Sequence, residues 1–524
     1  PPTPTRRQRQ MCIRDRFQLV LDLMNNDFLE KRLKELSKLN FFNDLVINRG
    51  IEKEFFRVNH KGDISEREHP QSLGSALTNK FITTDFAEAQ LELVTPTFDD
   101  IDELHAFLTS LHIFVIDNIN EDETVWPLSM PPHIKDESKI NLGYYHQSNT
   151  GLLKHVYRKG LKVRYGSTMQ CVSGMHYNFS INNESLSKLS LNNSQEDYDE
   201  IYLGLIRNFK RIFWFVLSEF GQTNVVDKSF VNGRFNNLSK LSNNDMYQKN
   251  ATSLRMSDIG YVSDAQKNLN IKYNSLEEFL RKIRSAITDP YPDFQNKGLI
   301  DNDGEFHQIS DGIIQIENEY YDSIRPKRAS EENLRPYNQL KKFGIEYLEI
   351  RGIDIDPNEP TGISKNHIKF LDMILIYCLI CPSKDISNEE KIRIDENDKK
   401  TVYDGRDYGI KLSINSVEET LGDAREKIYS DLIKLACCFE NSESLIDAIN
   451  FVKTYSRGIL PKTSYHEHGL NKAKEVVEFF TKANDKYAES IKMEAELSID
   501  KLNSLQKNSS EEMNEYVKNY NINL

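Results

Sequence analysis

The sequence predicts an α+β fold: an antiparallel or mixed sheet that carries a charged site, with helices packed behind it. Three observations predict it. Strand-like and helix-like segments are mixed without the regular βαβ rhythm of a parallel sheet. Ionisable residues recur two apart within the strand-like segments, which places them on one face of the sheet. The last third of the chain is mostly charged sequence of helical period with little strand signal.

Taken in order, the first sixteen residues contain five arginines (Arg6, Arg7, Arg9, Arg14, Arg16) and no lysine, against a body rich in Lys, Asn and Ile. Residues 1–16 are therefore expected to be non-native or disordered and to lie outside the fold. No secretory signal is expected. From Phe17 to Leu39, Leu19, Leu23, Leu29, Leu33 and Leu36 recur at helical spacing. Ile51 to Val58 predicts a strand, and the turn chemistry of Asn59 to Asp63 predicts a hairpin. Leu91 to Thr95 predicts a strand stopped by Pro96, Ile101 to Asn118 a helix, and Met175 to Ile181 another strand. Asn182 to Glu196, rich in Asn and Ser, predicts an exposed loop. Tyr198 to Phe220 predicts one apolar helix terminated by Gly221. Ile313 to Glu319 and Ile345 to Ile353 predict further strands. Phe370 to Cys381 is the longest apolar run; it falls short of the ~20 residues of a membrane span and predicts a buried helix. Residues 467–520 predict charged helix. The expected organisation is one body from 17 to 524, with a sheet-bearing part at 17–365 and a mainly helical part at 366–524.

Composition excludes some partners. A net charge of −13 over 524 residues argues against a nucleic-acid or anionic-membrane binder, since both need a basic face. It does not exclude ATP, because metal ions supply positive charge locally. The six cysteines (Cys12, Cys171, Cys378, Cys381, Cys437, Cys438) include no zinc-ribbon pairing. Cys378 and Cys381 form a C-x-x-C, but inside the apolar run, so they are expected as buried core thiols of a reducing, cytoplasmic protein.

The candidate site follows from strand alternation. Glu52 and Glu54 share one face of their strand, and Glu349 and Arg351 share one face of theirs with Tyr347. His176, Asn178 and Ser180 form the polar face of a strand whose other face is Met175, Tyr177 and Phe179. Glutamates, a histidine and an arginine on one sheet face are costly to bury unless cations and phosphate neutralise them. The combination points to divalent metals holding a polyphosphate. Asp85 and Glu92 form a further pair, spaced so that a loop carboxylate could join a strand carboxylate at one metal. Arg325, Lys327 and Arg328 surround Pro326, which a helix cannot run into comfortably; they are expected on an extended or turn segment as phosphate contacts. Neither a G-x-x-x-x-G-K-[ST] loop nor a G-x-G-x-x-G junction is present, so metals and side chains would have to hold the phosphates of any bound ATP.

The strings GIEKEFFRV, HPQSLGSALTNKFITTDFAEAQLELVTP, WPLSMP, YRKGLKVRYG, SGMHYNFS, ATSLRMSDIGY, IENEYYDSIRPKR and GIEYLEIRGIDIDP run in that order from about residue 49 to about residue 365. They resemble the glutamate–cysteine ligases of the gamma-proteobacterial type. The helical C-terminal third resembles that family more weakly, and residues 1–16 not at all. The resemblance implies a glutamine-synthetase-like ligase fold, a curved, mostly antiparallel sheet forming a funnel in which ATP and substrates meet. It implies that Glu52, His176 and Glu349 hold one Mg²⁺ and that Glu54, Asp85 and Glu92 hold a second. A histidine ligand further predicts that Mn²⁺ is tolerated. It implies that Arg351 binds phosphate and that Phe86, Arg158, Leu161, Arg255, Tyr261 and Tyr321 line the amino-acid pocket. Tyr320 stands where an aliphatic residue is expected, which leaves Tyr321 ambiguous by one position. The implied reaction is ATP-dependent ligation of L-glutamate to L-cysteine through γ-glutamyl phosphate, with no obligatory protein partner. The rivals are a carboxylate–amine ligase of the same fold using another amine and, further off, a dinuclear metallohydrolase or a non-catalytic binding protein.

Overall fold

The computed structural model describes residues 27–524 apart from 235, 261–262, 330–333, 459 and 509–511. Its centre is a seven-stranded open sheet. The strands are β1 (Ile47–Asn59), β2 (Ile82–Thr84), β3 (Gln90–Val94), β4 (Glu123–Trp126), β5 (Met175–Ile181), β6 (Ile324–Lys327) and β7 (Tyr347–Ile353). All pairings are antiparallel, in the order β2-β3-β1-β5-β7-β6 with β4 paired to β1. A bulge between Ile350 and Ile353 shifts the register of β7 on β5.

Alternation makes the sheet two-faced. Ile47, Ile51, Met175, Tyr177, Phe179, Leu348 and Ile350 pack into one apolar cluster with helices α3 (Gln195–Arg211), α4 (Phe213–Phe220) and α5 (Lys365–Ile380). Phe55, Leu91 and Leu93 pack with α1 (Ile101–Asn118) and with α6 (Tyr465–Phe480), while α7 (Ala488–Asn508) packs on α1. Helix α2 (Asn149–Tyr165) is capped by the Ser148 side chain and ends at Gly166, whose φ of 81° only glycine adopts without strain. A last helix, α8 (Met513–Ile522), packs on α2. Among the described residues no helix is long and apolar enough to cross a membrane.

Several expectations need correction. Asn182 to Glu196 is not a plain loop: Asn183–Leu189 is helical, with Ser185 and Leu186 buried, and Ser194 caps α3. The Asn and Ser residues that signalled a loop serve as helix boundaries. The Tyr198 to Phe220 helix breaks at Ile212 into α3 and α4. Ile313 to Glu319 is not a strand but irregular chain ending in a 3-10 turn, Glu317–Glu319. The helical third also contains a hairpin, Lys411–Ile414 with Val417–Thr420. The sequence from Phe17 to Asn26 lies outside the described residues, and the expected helix there is seen over Asp27–Lys38. Cys378 and Cys381 lie on and just after α5, with both thiols pushed up by burial.

Candidate active site

Cross-strand register gathers the candidate residues. Glu54 stands opposite Glu92, and Glu52 opposite His176. Glu349 stands opposite Asn178 on one side and Arg325 on the other. Partners in a ladder share a face, so five strands place these side chains in one continuous polar field. Its acidic half is tightly connected. His176 Nδ1 is 3.1 Å from Glu52 Oε2, and its Nε2 is 3.5 Å from Glu54 Oε1. Asn178 donates to Glu52 Oε1 at 2.9 Å, and the Gly174 amide donates to Glu54 Oε2 at 2.8 Å. Ligand atoms of Glu52, Glu92 and His176 all lie within 4.8 Å of one another.

This crowding shows in the titration of the carboxyls. Burial, followed by the neighbouring Glu52, Asp85 and Glu54, pushes Glu92 well above the usual carboxylate range. Burial and Asp85 also raise Glu54, against the opposing pull of His176. Like charges placed directly opposite on a ladder repel, so this half of the field is held together only at the cost of keeping a proton or of taking up a cation. Asn178 Oδ1 is buried without a hydrogen-bond partner among the described residues. A carboxylate and imidazole donor set with an orphaned amide oxygen beside it fits Mg²⁺ or Mn²⁺.

The other half is cationic. Arg325 donates Nε and Nη2 to Glu349 Oε2 at 2.9 and 2.6 Å. Lys327 Nζ and Arg351 Nη1 each lie 3.4 Å from Glu349 Oε1. Burial would raise the Glu349 carboxyl, but these three cations hold it well below the usual range. Arg351 Nε is buried and unpartnered among the described residues.

The three expected phosphate contacts thus separate. Arg325 gives Nη1 to the carbonyls of Asn318 and Tyr320, so four of its five N–H groups are engaged and it chiefly braces Glu349. Arg328 turns off the face: it stacks on Phe343 at 5.3 Å and donates to the carbonyls of Phe343 and Gly344. Lys327 stays beside Glu349 and Arg351. Of the two forms expected for the segment, extended or turn, the structure shows the extended one, strand β6, where Pro326 is tolerated because β6 is an edge of the sheet.

The pocket candidates also divide. Phe86 and Leu161 belong to one buried apolar cluster. Arg158 is held by backbone: it gives three of its five N–H groups to the carbonyls of Asp85, Thr84 and Lys154 and stacks 4.5 Å over Tyr145, so it fixes the loop that carries Asp85. Arg255 bonds Asp354 Oδ1 at 2.8 Å and the carbonyls of Arg351 and Ile353. Its Nη1 fills the space where a Cβ on Gly174 would sit, 2.8 Å away. Tyr320 points into the apolar cluster and bonds Asp322, whereas Tyr321 reaches Met256 and is influenced by Arg255 and Arg351. Of the two tyrosines, Tyr321 is the one on the side of Arg255 and Arg351. Tyr261 lies outside the described residues. Asn178 was visible in the sequence on the polar face of β5, two residues from His176, but its contact with Glu52 needed the register of β1 on β5.

The open antiparallel sheet thus carries an acidic and a cationic row side by side on one face. The profile of the family described as glutamate-cysteine ligase matches residues 31–401. A glutamate–cysteine ligase of Hahella chejuensis is 42% identical over 371 residues, covering 70% of this chain and 70% of that protein. One from Shewanella oneidensis is 40% identical over 407 residues, covering 76% of this chain and 77% of that protein. The crystal structure of the Francisella tularensis glutamate–cysteine ligase in complex with AMP superposes with a TM-score of 0.86 at 32% identity, over 91% of this chain and 98% of that one. A bifunctional glutathione synthetase from Pasteurella multocida shares the fold, with a TM-score of 0.60 at 23% identity over 91% of this chain and 54% of that one. The chain belongs to the glutamate–cysteine ligase family.

Proposed function

We propose that this protein joins the γ-carboxylate of L-glutamate to the amine of L-cysteine, using ATP, as the first step of glutathione synthesis. One arrangement carries the reading: in a chain of this family, Glu349 sits among Arg325, Lys327 and Arg351 next to the crowded carboxylates of β1 and β3. A carboxylate is a poor electrophile. Its oxygen therefore first takes the γ-phosphoryl group of ATP, releasing ADP and leaving γ-glutamyl phosphate. The cysteine nitrogen then bonds the activated carbonyl carbon, the bond to phosphate oxygen breaks, and the nitrogen gives up a proton.

Each group on the face has a part. Arg351, whose Nε has no partner among the described residues, and Lys327 meet the charge that spreads over the transferring phosphoryl group. Glu52, His176 and Glu349 would hold one Mg²⁺ and Glu54, Asp85 and Glu92 a second, with Mn²⁺ tolerated. Bound metal would neutralise the phosphate oxygens and relieve the repulsion that, after burial, raises Glu92. Arg325 keeps Glu349 ionised and oriented. Arg255 and Arg158 fix the Gly174 and Asp85 segments, so that the reacting groups meet in one geometry. Phe86 and Leu161 form an apolar wall for the thiol, bordered by Tyr321, and Tyr261 is assigned to the same pocket by the resemblance alone. The described cysteines are all unpaired, as suits a reducing cytoplasm.

The test is ADP release at fixed glutamate with a panel of amines. Cysteine is expected to be the best acceptor and 2-aminobutyrate close behind, because an apolar wall separates such near-isosteres by only ~1–3 kcal/mol. Glycine and serine are expected to be clearly poorer. Ammonia or glycine outperforming cysteine would replace the glutathione-pathway reading with that of a ligase for another amine. Glu52→Gln and Glu349→Gln are each expected to lower turnover by roughly a hundredfold or more with the fold intact. Near-normal turnover of either at saturating Mg²⁺ would remove that residue from the site.

A further inference from the structure

Asp354 follows β7 directly and belongs to none of the groups read above as metal ligands or phosphate contacts. It is 2% exposed, and its two oxygens are fully engaged. Oδ1 accepts from Arg255 Nε at 2.8 Å and from Ser253 Oγ at 2.9 Å. Oδ2 accepts from the Gln222 amide and from Thr223 Oγ1, both at 2.9 Å. Two donors on each oxygen fix the plane of the carboxylate.

That fixed plane sets the guanidinium of Arg255. Arg255 Nη2 donates to the carbonyls of Arg351 and Ile353 at 3.1 and 2.7 Å, so with Nε on Asp354 three of its five N–H groups are engaged. The Nη1 end makes no hydrogen bond among the described residues. It lies 2.8 Å from where a Cβ on Gly174 would sit, and the Gly174 amide holds Glu54 at 2.8 Å. Ser129 closes the circuit. Its Oγ accepts the Ile355 amide at 2.7 Å, and its carbonyl accepts the Ser173 amide at 2.8 Å. The residue after Asp354 and the residue before Gly174 are therefore tied to one point.

Gly174 offers no side chain against which the guanidinium could lodge. The direction of Nη1 rests on Asp354 and the two carbonyls, and of these Asp354 alone carries a charge to match a buried guanidinium. We propose that Asp354 is a positioning residue for the ligation: it aims the Nη1 end of Arg255 across Gly174 into the amino-acid pocket. The proposal rests on the ligase reading above, in which Arg255 belongs to that pocket, and adds the residue that acts through it. Asp354 makes no ion pair or hydrogen bond with Arg351, Glu52, Glu54, His176 or Glu349 among the described residues, so its effect on turnover passes through Arg255.

Steady-state ADP release gives kcat and KM for glutamate, cysteine and ATP in wild type, Asp354→Asn, Arg255→Met and the double variant. Asp354→Asn is expected to raise KM for one amino acid and to lower its kcat/KM by roughly ten- to a hundredfold, the effect of a small misplacement in a site. KM for ATP should stay unchanged. In the Arg255→Met background the Asp354 substitution should cost nothing further in kcat/KM, since residues that act through one another are not additive. A carboxylate with a purely structural role would add its own loss. Where Asp354→Asn does not fold, Thr223→Val decides the point. It removes the Oδ2 donor, which also accepts the Arg255 amide at 3.3 Å, and leaves no charge unpaired. It is expected to raise the same KM by a smaller factor and to have no effect in the Arg255→Met background.

Wild-type KM for both amino acids, a loss shared equally with ATP, or full additivity with Arg255→Met would each overturn the positioning role. Arg255→Met with wild-type kinetics would overturn it as well, because the arginine would have nothing to do in the pocket, and would leave the ligase reading standing. A wild-type protein with no amino-acid-dependent ADP release would overturn the ligase reading itself, and this proposal with it.

Discussion

Lys53 lies between Glu52 and Glu54 in sequence but on the opposite side of the sheet. It is 2% exposed, and its ammonium sits 2.8 Å from His112 Nε2 and 3.3 Å from the Pro360 carbonyl, with no carboxylate partner among the described residues. His112 Nδ1 is 2.7 Å from the Leu108 carbonyl, to which it donates, so Nε2 accepts from Lys53. The His112 ring stacks between Phe55 and Phe480. Burial pushes Lys53 from 10.5 down to about 7, and burial and then Lys53 push His112 well below its ordinary value. The unfolded chain holds the lysine proton up to about 10.5, whereas the folded chain releases it near 7. The cost of burying the charge is therefore present in full below pH 7 and fades as pH rises toward 10.5. Lys53→Met removes it. The variant's melting temperature relative to wild type is expected to be higher at pH 6.5 than at pH 9.5 by a few degrees, from a change of roughly 2–3 kcal/mol. A difference that is flat with pH would mean that Lys53 keeps its proton in the fold. No sequence period announces this pair, because a strand residue and a helix residue meet across packed layers. The carboxylates on the other face were legible because alternation along a strand is rigid.

At the scale of elements, strand β6 shows where sequence reading stopped. Arg325, Lys327 and Arg328 looked equivalent around Pro326, and only the pairing of β6 with β7 separates them. The register puts Arg325 directly opposite Glu349 and Lys327 opposite Tyr347, while Arg328 leaves the strand and closes the C-terminal end of the Pro336–Phe343 helix. Three substitutions read out that division. Arg328→Ala is expected to leave kcat/KM within about twofold of wild type, since surface contacts of this kind contribute ~1 kcal/mol or less. Lys327→Met is expected to lower kcat by about tenfold or more with the melting temperature preserved. Arg325→Met should lower both, because removing one partner of a buried pair leaves Glu349 short of compensation, at a cost of ~3–5 kcal/mol. Equal effects for Lys327 and Arg328 would contradict this ordering. Gly174 belongs to the same scale: its amide holds Glu54, and Gly174→Ala would drive a methyl into Arg255. Its expected outcome is a large fall in kcat, measured against a small change in melting temperature. The sequence placed Gly174 beside His176 but gave no sign of Arg255 packed against it.

Across the whole molecule, the C-terminal helix α8 is tied to the catalytic face through packed side chains. Val517, with Tyr516 and Tyr520 beside it, packs on Leu153 and Val156, the side of α2 next to the one bearing Lys154 and Arg158. Arg335 stacks 4.0 Å over Tyr520, donates to its carbonyl at 2.8 Å, and pairs with Glu317 at 3.0 Å. Glu317 opens the turn whose Asn318 carbonyl accepts from Arg325 at 3.0 Å, and Arg325 braces Glu349. The helical third was legible from its period, but which helix backs the site was not, since the contacts join residues more than 180 positions apart. Removing residues 512–524 strips the apolar cover from Leu153, Val156 and Ile309 and leaves Arg335 without its aromatic partner. The truncated protein is expected to remain folded, because the main core cluster is built almost entirely from residues upstream of α8. It should melt several degrees lower, and its kcat/KM should fall by roughly tenfold as α2 and the Glu317 turn loosen. Tyr520→Ala alone should produce a smaller loss of the same kind, since Arg335 keeps Glu317. The measurements are thermal melting and ADP release on the two variants. A truncated protein with wild-type melting and kinetics would show that α8 rests on the catalytic body without supporting it.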